Sequence, residues 1–262
     1  MQENEFCSNE IKDQLRRDGI AGPLPLADTS RLDEVYEEVS KLKAERREQL
    51  RKLRETGESL ENVVNPLIDR HMDVKVISDV FFDANLQAAT RELFGTDLFV
   101  WRTNFFVKSD GTGQNKWHHD RHFEDGFTPI NLYDTRNHFT VTIALTDIGM
   151  DQGRLEYVKG SHQPIDGFDR DIPRHFLEVP EVIEDRVTPL PMKKGEFVLF
   201  HGALLHRSLE FGRGERRMSM AGRLARNGTA IPTYGAPNPA GGAQTEAEPF
   251  VYYRETGILQ FN

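Results

Sequence analysis

The chain has 262 residues, a formal net charge of −9, 37% hydrophobic residues and 10% aromatic residues. This hydrophobic share supports a sizeable core and excludes disorder as the default, while the acidic balance argues against a nucleic-acid binder resting on phosphate contacts. Cys7 is the single cysteine, so an intrachain disulfide framework is excluded, and no apolar run reaches the roughly 18 residues of a membrane span. The opening MQENEFCSNE lacks a basic region followed by an apolar one, so the expected setting is soluble, reducing and cytoplasmic.

In chain order, residues 8–18 read as a short helix, with Ser8 or Asn9 as cap and Gly19 as stop. A Pro-containing loop, Gly22-Pro23-Leu24-Pro25, follows. Residues 30–56 read as a long charged helix whose stripe runs through Leu32, Tyr36 and Val39 and continues weakly through Leu42, Leu50 and Leu53. A third helix is expected over 83–94, with Asp83 as cap and Gly95 as stop.

After Gly95 the pattern turns to β-formers. Leu98–Trp101, Asn104–Val107, His138–Thr146, Leu155–Val158, Glu196–Phe200 and Arg217–Leu224 read as short strands, with a turn at Ser109–Gly113. Such a series suggests a sandwich or barrel. The polar, Pro-dotted stretch 163–190 reads as a long functional loop, and the Gly/Pro/Ala-rich stretch 227–249 as an irregular tail. The expected organisation is one domain over 1–262: a helical region over 1–95, a β core of about 96–226 and the tail 227–262.

The chemistry centres on Trp117-His118-His119-Asp120. On a strand, residues two apart share a face, so His118 and Asp120 can converge on one ion while His119 points away. An imidazole and a carboxylate are two of the three ligands of a facial triad that leaves positions open on Fe(II). His122 has the same parity, so a His118/Asp120/His122 set competes. The distant third ligand is His201 or His206. His206 is favoured because Arg217 lies eleven residues on, in a segment able to return antiparallel beside it, where a guanidinium can clasp a carboxylate through two parallel hydrogen bonds. Trp117, Phe105 and Phe106 read as core, His162 as a turn residue, and Arg216, of opposite parity to Arg217, as surface.

These residues resemble the phytanoyl-CoA hydroxylase-like superfamily of Fe(II)/2-oxoglutarate oxygenases. The similarity runs through Trp117-His118-His119-Asp120, then Gly153-Arg154-Leu155 to Gly160-Ser161-His162, then His206-Arg207-Ser208 and Arg217, over roughly residues 98–226. It implies a mainly β fold with N-terminal helices and a double-stranded β-helix core of jelly-roll, cupin-like form. The implied cofactors are Fe(II), 2-oxoglutarate as co-substrate and O2.

The segment Trp101–Lys108, together with Arg217 and Arg223, also resembles the aliphatic halogenases of natural-product pathways. Those enzymes carry Ala or Gly where this chain has Asp120, so the resemblance implies oxygen-atom chemistry rather than halogenation. The span from His118 to His206 is shorter than expected for carrier-tethered halogenases, which argues against a carrier-bound substrate. By the same resemblance His118, Asp120 and His206 hold the metal. Arg217, Ser208, Thr142 and Asn115 meet the co-substrate, and Asn104 and Arg223 face a small amino-acid-like or natural-product substrate. The implied outcome is hydroxylation with release of succinate and CO2; desaturation, cyclisation and epoxidation use the same cofactors. Two other classes compete: a metal-dependent isomerase or lyase, which needs no O2, and a non-catalytic binding module on the same fold.

Overall fold

The computed structural model describes residues 9–57, 67–96, 98–120, 138–168, 179 and 181–226, together with the backbone of two short strands at 251–253 and 259–261. Cys7, His122 and the tail 227–249 lie outside the described residues.

The helical region comes first. Helix α1 (Asn9–Asp18) ends at Gly19, whose φ of 83° is one that only glycine adopts cheaply. Strand β1 (Ile20–Pro25) follows, then α2 (Leu32–Thr56), which Gly57 ends in the left-handed conformation. Two 3-10 turns (Arg70–Met72 and Val80–Phe82) flank α3 (Lys75–Asp79). The expectations missed this short helical cluster, because none of its pieces is long enough to show a period. Helix α4 (Ala84–Phe94) is capped as expected: the Asp83 carboxylate accepts from the backbone N–H groups of Asn85 and Leu86.

The strands are β2 (Leu98–Lys108), β3 (His138–Ala144), β4 (Leu155–Val158), β5 (Val187–Leu190), β6 (Glu196–His201), β7 (His206–Ser208), β8 (Arg217–Arg226), β9 (Val251–Tyr253) and β10 (Leu259–Phe261). They form a seven-stranded sheet ordered β1-β6-β3-β8-β2-β9-β10 and a three-stranded sheet ordered β5-β4-β7, antiparallel throughout. Backbone bridges outside the strands add His118 beside His206 on the small sheet. The fold is mainly β with N-terminal helices, a double-stranded β-helix.

Several expectations need correction. The Pro-containing stretch 22–25 is strand rather than loop; β1 lies at the edge of the large sheet, where proline sacrifices no ladder donor. Leu98–Trp101 and Asn104–Val107 are one strand, with an irregularity between Val100 and Arg102. Within 163–190, a 3-10 turn (Glu181–Arg186) leads into β5. The β8 strand does not return beside His206: it pairs with β2 and β3 in the large sheet, whereas β7 belongs to the small one. Arg217 and His206 therefore face each other from different sheets.

The strand period of two decides what each layer receives. On β3, Phe139, Val141 and Ile143 join the core that packs the large sheet against the helices, as do Phe197 and Leu199 of β6 and Met218, Met220 and Leu224 of β8. The alternate residues, Thr140 and Thr142 of β3 and Arg217, Ser219, Ala221 and Arg223 of β8, line a cavity between the two sheets. The apolar face thus lies under the helices, and the inner face carries the polar groups.

Candidate metal centre

The His118–Asp120 segment is held by backbone pairing. The N–H of His118 donates to the carbonyl of His206 at 3.0 Å and the N–H of His206 donates back at 2.9 Å. The N–H of Asp120 donates to the carbonyl of Gly202 at 2.8 Å. This pairing brings the two imidazoles together, with ring centroids 4.4 Å apart.

Each ring directs Nδ1 at a carbonyl two residues earlier: His118 at Lys116 (2.7 Å) and His206 at Leu204 (2.9 Å). A carbonyl only accepts, so Nδ1 carries a proton, and in the neutral ring the lone pair then sits on Nε2. That is the tautomer a metal ligand needs. One ligand atom each from His118, Asp120 and His206 lie within 4.8 Å of one another. Nε2 of His206 stands 3.7 Å from Oδ1 of Asp120. Two neutral imidazoles and one carboxylate form the donor set of a facial triad with open positions, so these residues fit a ferrous ion.

Asp120 is anchored from the large sheet. Thr140 donates its hydroxyl to Oδ2 at 2.7 Å, and Arg223 makes an ion pair with the same oxygen. Burial, reinforced by the nearby Arg102, pushes the Arg223 guanidinium down to about 9, so it remains charged at neutral pH.

Arg217 occupies the other end of the inner face of β8. It is 1% exposed, donates to the Ser219 hydroxyl (2.9 Å) and to the carbonyl of Gly153 (2.6 Å), and burial lowers it to about 10. Ser208, Thr142 and Asn115 line the same cavity, and the Asn115 N–H donates to the Ser208 carbonyl at 2.8 Å. Opposite Arg217 on β2, the buried Lys108 donates to the carbonyls of Gly113 (2.7 Å) and Leu209 (2.6 Å). Lys108 thus ties together the segments leading to His118 and away from His206.

Asn104 shares its strand face with Phe106 but is not among the residues lining the cavity, and its backbone bridges to Ile68. His201 lies on the helix-facing side of β6 and stacks on His162, with centroids 5.0 Å apart and planes within 3°. Among the described residues, His118, Asp120 and His206 are the one set that could share an ion, and His201 is not in it. Arg216 is not simply exposed: its guanidinium bonds the Tyr36 hydroxyl and the Ser40 hydroxyl (2.8 Å), fastening α2 to β8.

Sequence reasoning assigned no role to Thr140 and Lys108, and it placed Arg223 facing the substrate rather than on Asp120. Parity was the available signal. Thr140 shares a face with Thr142, and Arg223 shares one with Arg217; the β2–β8 register that sets Lys108 opposite Arg217 was not legible.

The phytanoyl-CoA dioxygenase (PhyH) family model matches residues 15–218. The chain belongs to the phytanoyl-CoA dioxygenase family. No curated protein matches it. Among solved structures it is similar to the epimerase SnoN, solved with Fe3+, alpha-ketoglutarate and nogalamycin RO. That match has 19% identity and a TM-score of 0.64, over 92% of this chain and 94% of that one. It is similar also to CytC3 with Fe(II) and alpha-ketoglutarate, at 22% identity and a TM-score of 0.60, over 98% and 93%. The carbocyclase SnoK from nogalamycin biosynthesis matches at 17% identity and a TM-score of 0.64, over 93% of each chain. At these identities the likeness is one of fold, and it agrees with family membership. No described helix is long and apolar enough to cross a membrane.

Proposed function

We propose that this member of the phytanoyl-CoA dioxygenase family is an Fe(II)- and 2-oxoglutarate-dependent dioxygenase. It hydroxylates an unactivated C–H bond of a small amino-acid-like or natural-product substrate and releases succinate and CO2. The observation that carries the reading is one cavity containing both the His118/Asp120/His206 donor set and the buried cation Arg217. Solved structures of the same fold contain iron and alpha-ketoglutarate, which supports the choice of cofactors.

The roles follow from the residues. His118, Asp120 and His206 hold the metal from one side. Arg217, fixed by Ser219 and Gly153, offers its guanidinium to the remote carboxylate of 2-oxoglutarate. Ser208, Thr142 and Asn115 supply short polar groups along the same wall. Asp120 fills the position that halogenases leave to a halide, which favours oxygen transfer. Ferrous iron, when bound, supplies the activation of O2 that no side chain can perform. The protein orients the reactants and shields them: Phe106, Leu155 and Phe200 complete an apolar lining.

The test is incubation with Fe(II), 2-oxoglutarate, O2 and a metabolite extract, followed by mass analysis. A product heavier by one oxygen, formed with stoichiometric succinate, supports hydroxylation. A second reading keeps the cofactors and changes the outcome to desaturation, cyclisation or epoxidation; that two similar structures are an epimerase and a carbocyclase favours keeping it. Desaturation and ring closure are recognised by succinate release with a product that has lost two hydrogens; epoxidation of a C=C bond adds one oxygen, as hydroxylation does, and is told from it by NMR of the product. Turnover under strict exclusion of O2 would instead indicate an isomerase or lyase.

A further inference from the structure

We infer that Arg223 is a positioning residue: together with Thr140 it holds Oδ2 of Asp120, so that the carboxylate serves the metal through Oδ1 alone. The inference rests on the metal-centre reading above.

The two oxygens of Asp120 are treated differently by the fold. Oδ2 accepts a hydrogen bond from the Thr140 hydroxyl at 2.7 Å and forms an ion pair with the Arg223 guanidinium. Oδ1 is buried, has no hydrogen-bond partner, and lies 3.7 Å from Nε2 of His206. A buried carboxylate oxygen without a donor needs an explanation, and a cation held by His118 and His206 supplies one.

Arg223 is itself hard to account for otherwise. Its side chain is only 13% exposed, and the β2–β8 register sets it opposite a second arginine, Arg102, which lies 3.6 Å from Asp69. Burying a guanidinium beside another cation is costly unless a carboxylate meets it, and among the described residues Arg223 forms its ion pair with Asp120. The consequence bears on coordination. A carboxylate that gives one oxygen leaves three positions of an octahedral ion open; one that gives both competes with a chelating keto acid for a position.

The experiment titrates Co(II), then 2-oxoglutarate, into the full chain carrying Arg223→Met, Thr140→Val, Arg223→Lys or Asp120→Ala, with visible absorption and thermal unfolding recorded for each. Arg223→Met and Thr140→Val should bind Co(II) at least as tightly as the parent, because Oδ2 is released and, in the first, a cation is removed. Their Co(II) absorption should differ from the parent's before 2-oxoglutarate is added. The affinity of the loaded protein for 2-oxoglutarate should fall roughly tenfold, with partial recovery in Arg223→Lys.

An unchanged Co(II) spectrum with 2-oxoglutarate affinity near the parent's in both variants overturns the inference. So does a parallel loss of Co(II) affinity and thermal stability with an unchanged spectrum, which is the mark of a purely structural role. If Arg223→Met does not fold, Thr140→Val decides alone. If Asp120→Ala binds Co(II) like the parent, the metal-centre reading falls and this inference with it. If Asp120→Ala loses Co(II) while the other variants titrate like the parent, only the positioning role falls.

Discussion

Asp120 has two partners of opposite kind, a prospective cation at Oδ1 and Arg223 at Oδ2, and its removal should therefore have two effects. Asp120→Ala strips the donor set and also leaves the largely enclosed Arg223 without its carboxylate. We expect hydroxylation to be lost and the metal-free protein to be destabilised by about 3–5 kcal/mol. His206→Ala removes a donor but leaves that ion pair intact, so it should also abolish turnover at a much smaller cost in stability. Succinate release and urea unfolding of metal-free protein check both; equal destabilisation by the two variants would contradict these roles.

Arg217 gives a second prediction at this scale. Its guanidinium reaches Ser219 and Gly153 from one fixed plane, which the point charge of a lysine cannot reproduce. Arg217→Lys should weaken 2-oxoglutarate binding by about 2–5 kcal/mol, read by calorimetry on the metal-loaded protein.

Among the elements, β8 is central because it joins the helical layer to the cavity. Its residue 222 faces the helices with no side chain, and a Cβ there would lie 2.6 Å from Cε1 of Phe81 and 3.0 Å from Cγ1 of Val141. Gly222→Ala should therefore destabilise the fold by about 1–3 kcal/mol, seen as a lower urea midpoint at unchanged slope.

The 3-10 turn that seats against β2 carries His71, which is 1% exposed, with Nδ1 2.9 Å from the Thr103 hydroxyl. Burial pushes this imidazole down to about 4. Between that value and the ordinary 6.5 the unfolded chain binds more protons than the folded one, so stability should be full above 6.5 and fall as pH drops toward 4. Urea midpoints at pH 7 and pH 5 should differ by less in His71→Gln than in the parent.

Elements with a period or a stop residue could be read from the sequence. The helix ending at Gly19, the cap at Asp83 and the strands over 138–146 and 217–224 are of this kind. The helical pieces between Arg70 and Phe82 and the edge strand through Pro23 and Pro25 were not legible, since short segments show no period and proline reads locally as a breaker. The donor set His118, Asp120 and His206 was chosen from spacing and resemblance. The partner strands of β8 and the grip of Arg223 on Asp120 depend on sheet order, which local sequence does not encode.

At the scale of the whole molecule, a net charge of −9 surrounds an inner face that carries Arg217 and Arg223, with Lys108 paired beside Arg217. A dianionic co-substrate is thus drawn by local cations against the overall sign of the protein. The helices cover the apolar face of the large sheet, the small sheet brings His206 and His118, and the large sheet brings Thr140, Arg217 and Arg223. On this reading the two sheets close on one metal and one 2-oxoglutarate. The most direct measurement is anaerobic calorimetry of 2-oxoglutarate against the protein with and without Fe(II). Saturable one-to-one binding that requires Fe(II) and is lost in His206→Ala is the expected result. Binding that ignores the metal, or no binding to the Fe(II)-loaded protein, would contradict it.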